Sequence, residues 1–214
     1  MSSEERQLRK ALVEIVAREV HSQPVLDVMR TLSRHAFVPE HPLAEAYADH
    51  PLPIGHGATI SQPTVVGMMS EALELNGEQR ILEVGTGSGY QAAVLSRLAR
   101  HVDTIEVIPE LAERARHALQ TVGCDNVAVH VGDGWAGIPD LAPFDRIVVT
   151  AAPDHLPEAL VEQLAEGGLI VVPVGPQSQD QRLERHIKRE GRLVREDICA
   201  VRFVPMVHPP DEAG

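Results

Sequence analysis

The sequence predicts an α/β protein. It reads as a doubly wound, mostly parallel, seven-stranded sheet with N-terminal helices and a C-terminal antiparallel hairpin. Three observations predict this. From residue 81 onward, short apolar runs alternate with helical patterns, as parallel βαβ units with right-handed crossovers require. Residues 80–91, RILEVGTGSGYQ, read as strand, glycine turn and helix. Near the end, two runs at 182–189 and 193–204 flank Glu190-Gly191, which suits an antiparallel hairpin on a sheet edge.

Residues 4–20 form an amphipathic helix with Leu8, Leu12, Ile15, Val16 and Val20 on one stripe. Pro24 suits the first turn of a second helix that runs to Leu32. Between Pro39 and Pro63 stand five prolines and two glycines, which forbid a long helix and mark a loop that wraps a site. A helix over 64–75 follows, with Gly77 as its stop. In the glycine turn, Ile81, Leu82 and Val84 form a buried strand, and Ala92, Val94, Leu95 and Leu98 carry the next helix. Strands are predicted at 102–107, 127–131, 146–150 and 169–172, with helices at 110–122 and 156–165. Gly167-Gly168 reads as the stop of that last helix, and the residues after Pro209 as a frayed end. One domain covers 1–214: helices and an active-site loop in 1–78, a cofactor-binding core in 79–175, and a hairpin with tail in 176–214.

Composition excludes several classes. The chain has 214 residues, a net charge of −12 and a pI near 5.3. An acidic chain is a poor binder of phosphate backbones, which recruit clustered Lys and Arg. Three Phe, two Tyr and one Trp are too few for a base-stacking platform. The expected partners therefore include no nucleic acid. No apolar run reaches membrane-spanning length, and the N-terminus carries charges rather than a signal core. Cys124 and Cys199 stand in no close-spaced motif, which fits a reduced cytoplasmic protein. The eleven histidines show no metal-site spacing, and no metal is expected.

In an open α/β sheet, ligands sit beyond the carboxyl ends of the strands. Gly85, Gly87 and Gly89 end the first strand, where glycine admits positive φ and a close ligand. A dinucleotide fingerprint would place its third glycine five residues after the first, where Tyr90 stands. Glu106 ends the second strand, 21 residues after Gly85, where a carboxylate can accept from both hydroxyls of a ribose. Asp133 follows the third strand, where it can meet an adenine amino group. These three in register point to a bound nucleoside cofactor.

This arrangement, over residues 79–174, resembles the class I S-adenosylmethionine-dependent methyltransferases. The resemblance implies a Rossmann-like methyltransferase fold, places Glu83 near the methionine part of S-adenosyl-L-methionine and gives the ribose to Glu106. A narrower resemblance covers nearly the whole chain. The segments PIGHGATISQP, DGW at 133–135, PFDRIVVTAAP, LAEGGLIVVPVG and RFVPM look like those of the protein-L-isoaspartate O-methyltransferase family. That family methylates the free carboxylate of isoaspartyl residues in damaged proteins and peptides. The ester collapses to a succinimide, which reopens partly to aspartate. By this resemblance Ser61 is the active-site residue. Ile54, Gly55, His56 and Gly57 pass close to cofactor and substrate, and Val107 and Gly134 join Glu106 and Asp133 in the cofactor site. His56 is a departure, because aromatic residues are frequent there. A monomer acting on isoaspartyl substrates is expected.

The residues suit that chemistry. A carboxylate needs no general base to attack a sulfonium methyl, so orientation and exclusion of water suffice. Ser88 lies in GSG and not in a GxSxG elbow, so no nucleophilic triad is evident. Ser61 has two readings from position alone: a cap on the following helix or a group that orients substrate. Two enzyme alternatives are a small-molecule methyltransferase and a base methyltransferase. The second is disfavoured by TAAP after the fourth strand, where base amino methyltransferases often carry an Asn/Asp-Pro-Pro-aromatic segment. The alternative outside enzymes is a nicotinamide-binding or cofactor-sensing module. The glycine spacing opposes the first, and the ATIS loop favours an enzyme over a sensor.

Overall fold

A computed structural model of the chain describes residues 2–209; the expected frayed end after Pro209 lies outside them. Strands β3 (Arg80–Val84), β4 (His101–Glu106), β5 (Val127–Val131), β6 (Phe144–Val149), β7 (Leu164–Val174), β8 (Gln181–Arg189) and β9 (Arg192–Val201) form one sheet. Their order is β5-β4-β3-β6-β7-β8-β9. The first five are parallel, and β8 and β9 are antiparallel. The chain winds outward from β3 to β5, then returns to β6 on the other side of β3. That reversal leaves a crevice at the carboxyl ends of β3 and β6.

Apolar runs make these strands because both faces are covered. Ile81, Val148 and Val171 pack on one face with α1 (Ser3–Val16), α2 (Gln23–Thr31), α4 (Pro63–Ala72), α5 (Tyr90–Ser96) and α6 (Pro109–Thr121). Their neighbours Leu82, Val84, Ile147, Val149, Ile170 and Val172 face the opposite way, towards Phe144 and Leu160 of α7 (Glu158–Glu162). The alternation follows from the two-residue period of a strand.

Several boundaries differ from the sequence reading. Helix α1 ends at Val16; Val20 still seats in the core, reached through tighter turns such as Glu19 N to Val16 O. Helix α4 ends at Ala72, and the chain leaves through Glu74 at φ +51°, before Gly77. The proline-rich loop is not structureless. It holds a short helix α3 (Leu43–Ala46) and a ribbon of β1 (Leu52–Gly55) and β2 (Ala58–Ile60). His56 (φ +53°) and Gly57 (φ +73°) form its tight turn, in the doubly left-handed conformation that matches strand twist. Histidine tolerates that conformation better than β-branched residues do.

Helix α7 stops at Glu162, not Ala165, because Leu164 is needed in the sheet, where it pairs with Phe144. Gly167 and Gly168 then sit inside β7 at a register shift instead of stopping a helix. A Cβ on Gly168 would lie 2.7 Å from Leu164 Cδ1. Strand β9 ends at Val201, and residues beyond it cross to the end of β6: Ala152 N donates to Val204 O at 2.8 Å and Met206 N to Ala152 O at 3.0 Å.

Gly67 sets the approach of α4 to α1: a Cβ there would stand 2.8 Å from Val20 Cγ2 and 3.2 Å from Val16 Cγ1. Gly67→Val should therefore cost about 1–3 kcal/mol through overpacking and lower the melting temperature by roughly 2–4 °C per kcal/mol. An unchanged melting curve would mean that the helices part without cost.

Candidate active site

The crevice at the switch point opens into a cavity of about 280 Å³. Its floor is the turn after β3. Gly85 (φ +95°) and Gly87 (φ +52°) bend the chain as only glycine does readily. A Cβ on Gly85 would lie 2.5 Å from Thr150 Oγ1, so glycine lets the ends of β3 and β6 close together. Thr150 reinforces that contact: its N donates to Val84 O at 2.9 Å, and its hydroxyl donates to Gly85 O.

Glu106 is no solvated strand end. It is 6% exposed, its Oε2 accepts from Gly87 N at 2.7 Å, and its Oε1 accepts from Ile108 N at 3.1 Å. Two backbone amides thus aim one carboxylate at the cavity wall. Val107, Gly134, His56, Gly57 and Ser61 stand on the same wall. The carboxyl ends of four strands, β3, β4, β5 and β6, and the β1–β2 ribbon converge on this cavity.

Five expected residues lie off this wall. Gly89 starts α5, and a Cβ on it would meet Ala115 Cβ at 3.3 Å, so it serves the packing of α5 on α6. Gly55 faces the Arg114 guanidinium, and Ile54 O accepts from Arg114 Nη1 at 2.8 Å. The Ile54 side chain is buried behind Gly87. Asp133 is held by Trp135 N at 2.9 Å and His208 Nδ1 at 2.8 Å, with His208 stacked on Trp135. Its neighbour Gly134 reaches the wall because a Cβ there would strike Val84 Cγ1 at 2.5 Å.

Other residues on the wall escaped the sequence reading. Thr150 and Ala151 follow β6, and Val204 to Val207 arrive from beyond β9. The strand-end rule points to the first pair. For the second, only the RFVPM segment carried a signal, with no geometry attached.

Ser61 is not a cap. The residue before α4 is Gln62, and Asp49 does the capping: its Oδ1 accepts from Thr64 N at 2.9 Å and its Oδ2 from Thr64 Oγ1 at 2.8 Å. Ser61 instead stands between the first cavity and an adjoining one of about 380 Å³, which continues past Gln62 and Val65 to Asp180 and Arg202. Thr59, Thr150 and Val204 share this dividing position.

Glu83 sits beneath the glycine turn, 0% exposed, and neither carboxyl oxygen has a hydrogen-bond partner. Burial pushes its pKa up to about 8, and the Glu106 charge pushes the same way. The Thr104 hydroxyl opposes this but is engaged with Thr86 Oγ1 at 2.7 Å. Glu83 is therefore a neutral acid at pH 7. The folded pKa lies above the ordinary 4.5, so the folded state holds a proton that the unfolded chain loses. Its stabilising contribution is full below about pH 4.5 and is lost as pH rises through about 8. Glu83→Gln should flatten the decline of stability across that window, read as unfolding free energy against pH. Parallel curves for the two proteins would mean that Glu83 is charged when folded.

Among the described residues, no group of three or more His, Cys, Asp or Glu side chains could hold a metal ion. The family model of protein-L-isoaspartate(D-aspartate) O-methyltransferase matches residues 6–210. The protein-L-isoaspartate O-methyltransferase of Roseiflexus sp. is 51% identical over 201 residues, 93% of this chain and 91% of its own. That of Gloeobacter violaceus is 49% identical over 189 residues, 88% of this chain and 92% of its own. A solved protein-L-isoaspartate O-methyltransferase superposes with a TM-score of 0.84 at 31% identity over 92% of this chain; the chain spans 65% of that one. A structure from Plasmodium falciparum, described as a beta-aspartate methyltransferase in complex with S-adenosyl-L-homocysteine, gives a TM-score of 0.81 at 25% identity. It covers 93% of this chain and 98% of its own. With relatives this similar over nearly its whole length, the chain belongs to the protein-L-isoaspartate(D-aspartate) O-methyltransferase family.

Proposed function

We propose that this chain, a protein-L-isoaspartate O-methyltransferase that uses S-adenosyl-L-methionine, works by orientation, with Ser61 aiming the substrate carboxylate. The observation that carries this reading is the place of Ser61, on the wall between two adjoining cavities. The first, with the glycine turn and Glu106, takes the cofactor. The second takes the isoaspartyl segment of a protein or peptide. A hydroxyl at their boundary can hold one carboxylate oxygen and leave the other free to attack.

The residues of the first cavity fit the cofactor. Glu106 offers a carboxylate already fixed by two amides, suited to a pair of vicinal hydroxyls. Val107 and Ile108 beside it offer apolar surface for a purine ring, and Gly85, Gly87 and Gly134 let backbone approach closely. Asp133 accepts from Trp135 N and His208 Nδ1, and its partly exposed carboxyl keeps acceptor capacity for an adenine amino group. His56 and Gly57 cover the site from the ribbon, behind which Ile54 and Gly55 are anchored on Arg114. Gly89 supports the cradle through α5, and Glu83 lies buried at the end of the strand that leads into the glycine turn.

When bound, the cofactor supplies a methyl group on a positively charged sulfur. The protein needs no general base, because the acceptor carboxylate already carries charge. Its task is alignment and exclusion of water, which together can contribute several kcal/mol. A purely electrostatic or acid–base role for Ser61 is unnecessary. We further read residues 1–214 as a single methyltransferase domain that acts as a monomer, without nucleic acid, in the cytoplasm. The acidic charge supports the reading without nucleic acid, and the two free cysteines support the cytoplasm.

A synthetic isoaspartyl peptide should accept labelled methyl groups, while its aspartyl twin should not; equal transfer would point to another carboxyl methyltransferase. Ser61→Ala should lower kcat by about 10- to 100-fold, or roughly 1.4–2.7 kcal/mol, with cofactor affinity and melting temperature nearly unchanged. Retained turnover in that variant would refute the aiming role. Glu106→Ala should weaken S-adenosyl-L-homocysteine binding by about 1.5–3 kcal/mol, measured by calorimetry. Unchanged affinity would remove Glu106 from the ribose site.

A further inference from the structure

We infer that Arg34 is a positioning residue for methyl transfer, holding the Ser61 main chain so that its hydroxyl stands between the two cavities. The inference rests on the role given to Ser61 above. Arg34 lies in the turn Arg34–Phe37, away from the glycine turn in sequence, and is 0% exposed. Its Nη2 donates to Ser61 O at 2.8 Å, and its Nε donates to Ala46 O at 2.9 Å. One rigid guanidinium fork thus bridges two carbonyls fifteen residues apart, which a flexible ammonium would not hold in one geometry. The same group lies 4.8 Å from the centroid of the Tyr90 ring, and Tyr90 lines the cofactor cavity.

A buried cation that serves carbonyls is a costly way to satisfy them, since water would do so at a surface. Nη1 has no hydrogen-bond partner among the described residues, so the fold does not even use all its donors. What Arg34 achieves is placement. The Ser61 carbonyl is pinned by Arg34, and the next residues are pinned by Asp49, which accepts from Gln62 Nε2 at 3.0 Å and from Thr64 N. Ser61 is therefore held at its own carbonyl and at the residues that follow it by groups outside the β1–β2 ribbon. Freedom at this position would blur the direction that the hydroxyl imposes on the acceptor.

The test is a double-mutant cycle of Arg34→Met and Ser61→Ala. It reads the single-turnover rate of methyl transfer from S-adenosyl-L-methionine to an isoaspartyl peptide, with S-adenosyl-L-homocysteine affinity and melting temperature measured alongside. Arg34→Met should slow transfer by about 10- to 100-fold, the loss expected from imperfect orientation, at unchanged cofactor affinity. In the Ser61→Ala background it should cause little further loss. Arg34→Lys, which keeps the charge, should recover part of the rate, and it runs the same cycle if Arg34→Met does not fold. Equal losses in both backgrounds, or a full rate per folded molecule with only a lower melting temperature, would overturn the inference while leaving Ser61 in place. A normal rate for Ser61→Ala alone would remove the role of Ser61 and the inference with it.

Discussion

The closure of β6 against β3 is the contact on which the rest depends. These two strands are adjacent in space but lie far apart in the chain, with β4 and β5 inserted between them. Where the order reverses, the helices that follow the strands diverge, and the crevice between them cannot be filled by either layer. Thr150 seals the two strand ends at Val84 and Gly85, and a side chain at Gly85 would force them apart. Every wall of the cavity is referred to that joint. The glycine turn springs from β3, Ala151 and the crossing segment at Val204 attach through β6, and Glu106 arrives from β4 already bonded to Gly87.

A second set of polar side chains, some buried and some exposed, ties the elements around the ribbon that covers this cavity. Glu5 and Arg9 of α1 pair, and the Tyr47 hydroxyl donates to Glu5 at 3.2 Å, which ties the first helix to the proline-rich segment. Nearby attraction to Arg9 helps keep Glu5 below the usual carboxylate range despite the opposing effect of burial. Arg114 reaches across from α6 to Ile54 O and to Glu40 at 3.2 Å. Arg34 and Asp49 grip the far end at Ser61 and Thr64. A two-stranded ribbon is marginal by itself. Here it is fixed at both ends by side chains from outside it.

The carboxylates near the site are sorted by environment. Glu106 keeps amide partners and faces the cavity. Glu83, one strand away, has none and is neutral at pH 7 because of burial. Burial and the neighbouring Glu106 both raise the Glu83 pKa, while Glu106 presents its carboxyl where a ligand can use it.

Much of this was legible in the residues. Repeating strand and helix periods determined the layer order, because a strand buried on both faces must be apolar throughout. Glycine at 85 and 87, and an acid at 106, marked the cavity, because their chemistry is local to strand ends. The ribbon at 52–60 was hidden because prolines mask strand pairing and because His56 is not a usual turn residue. Gly167-Gly168 misled for a related reason: a glycine pair fits a helix stop or a bulge equally well, and only the seat of Leu164 against Phe144 chose the bulge. The cap on α4 came from Asp49, and the anchor of Ser61 from Arg34, both distant in sequence from what they hold. The sequence by itself determined the fold class, the glycine turn after the first strand and the loop that carries Ser61, since these are written in local period and composition. Tertiary structure alone decided that Glu83 is buried without a partner while Glu106 is held by two amides, and which side chains pin the Ser61 segment, because those outcomes depend on burial and on partners that meet only when the chain has folded.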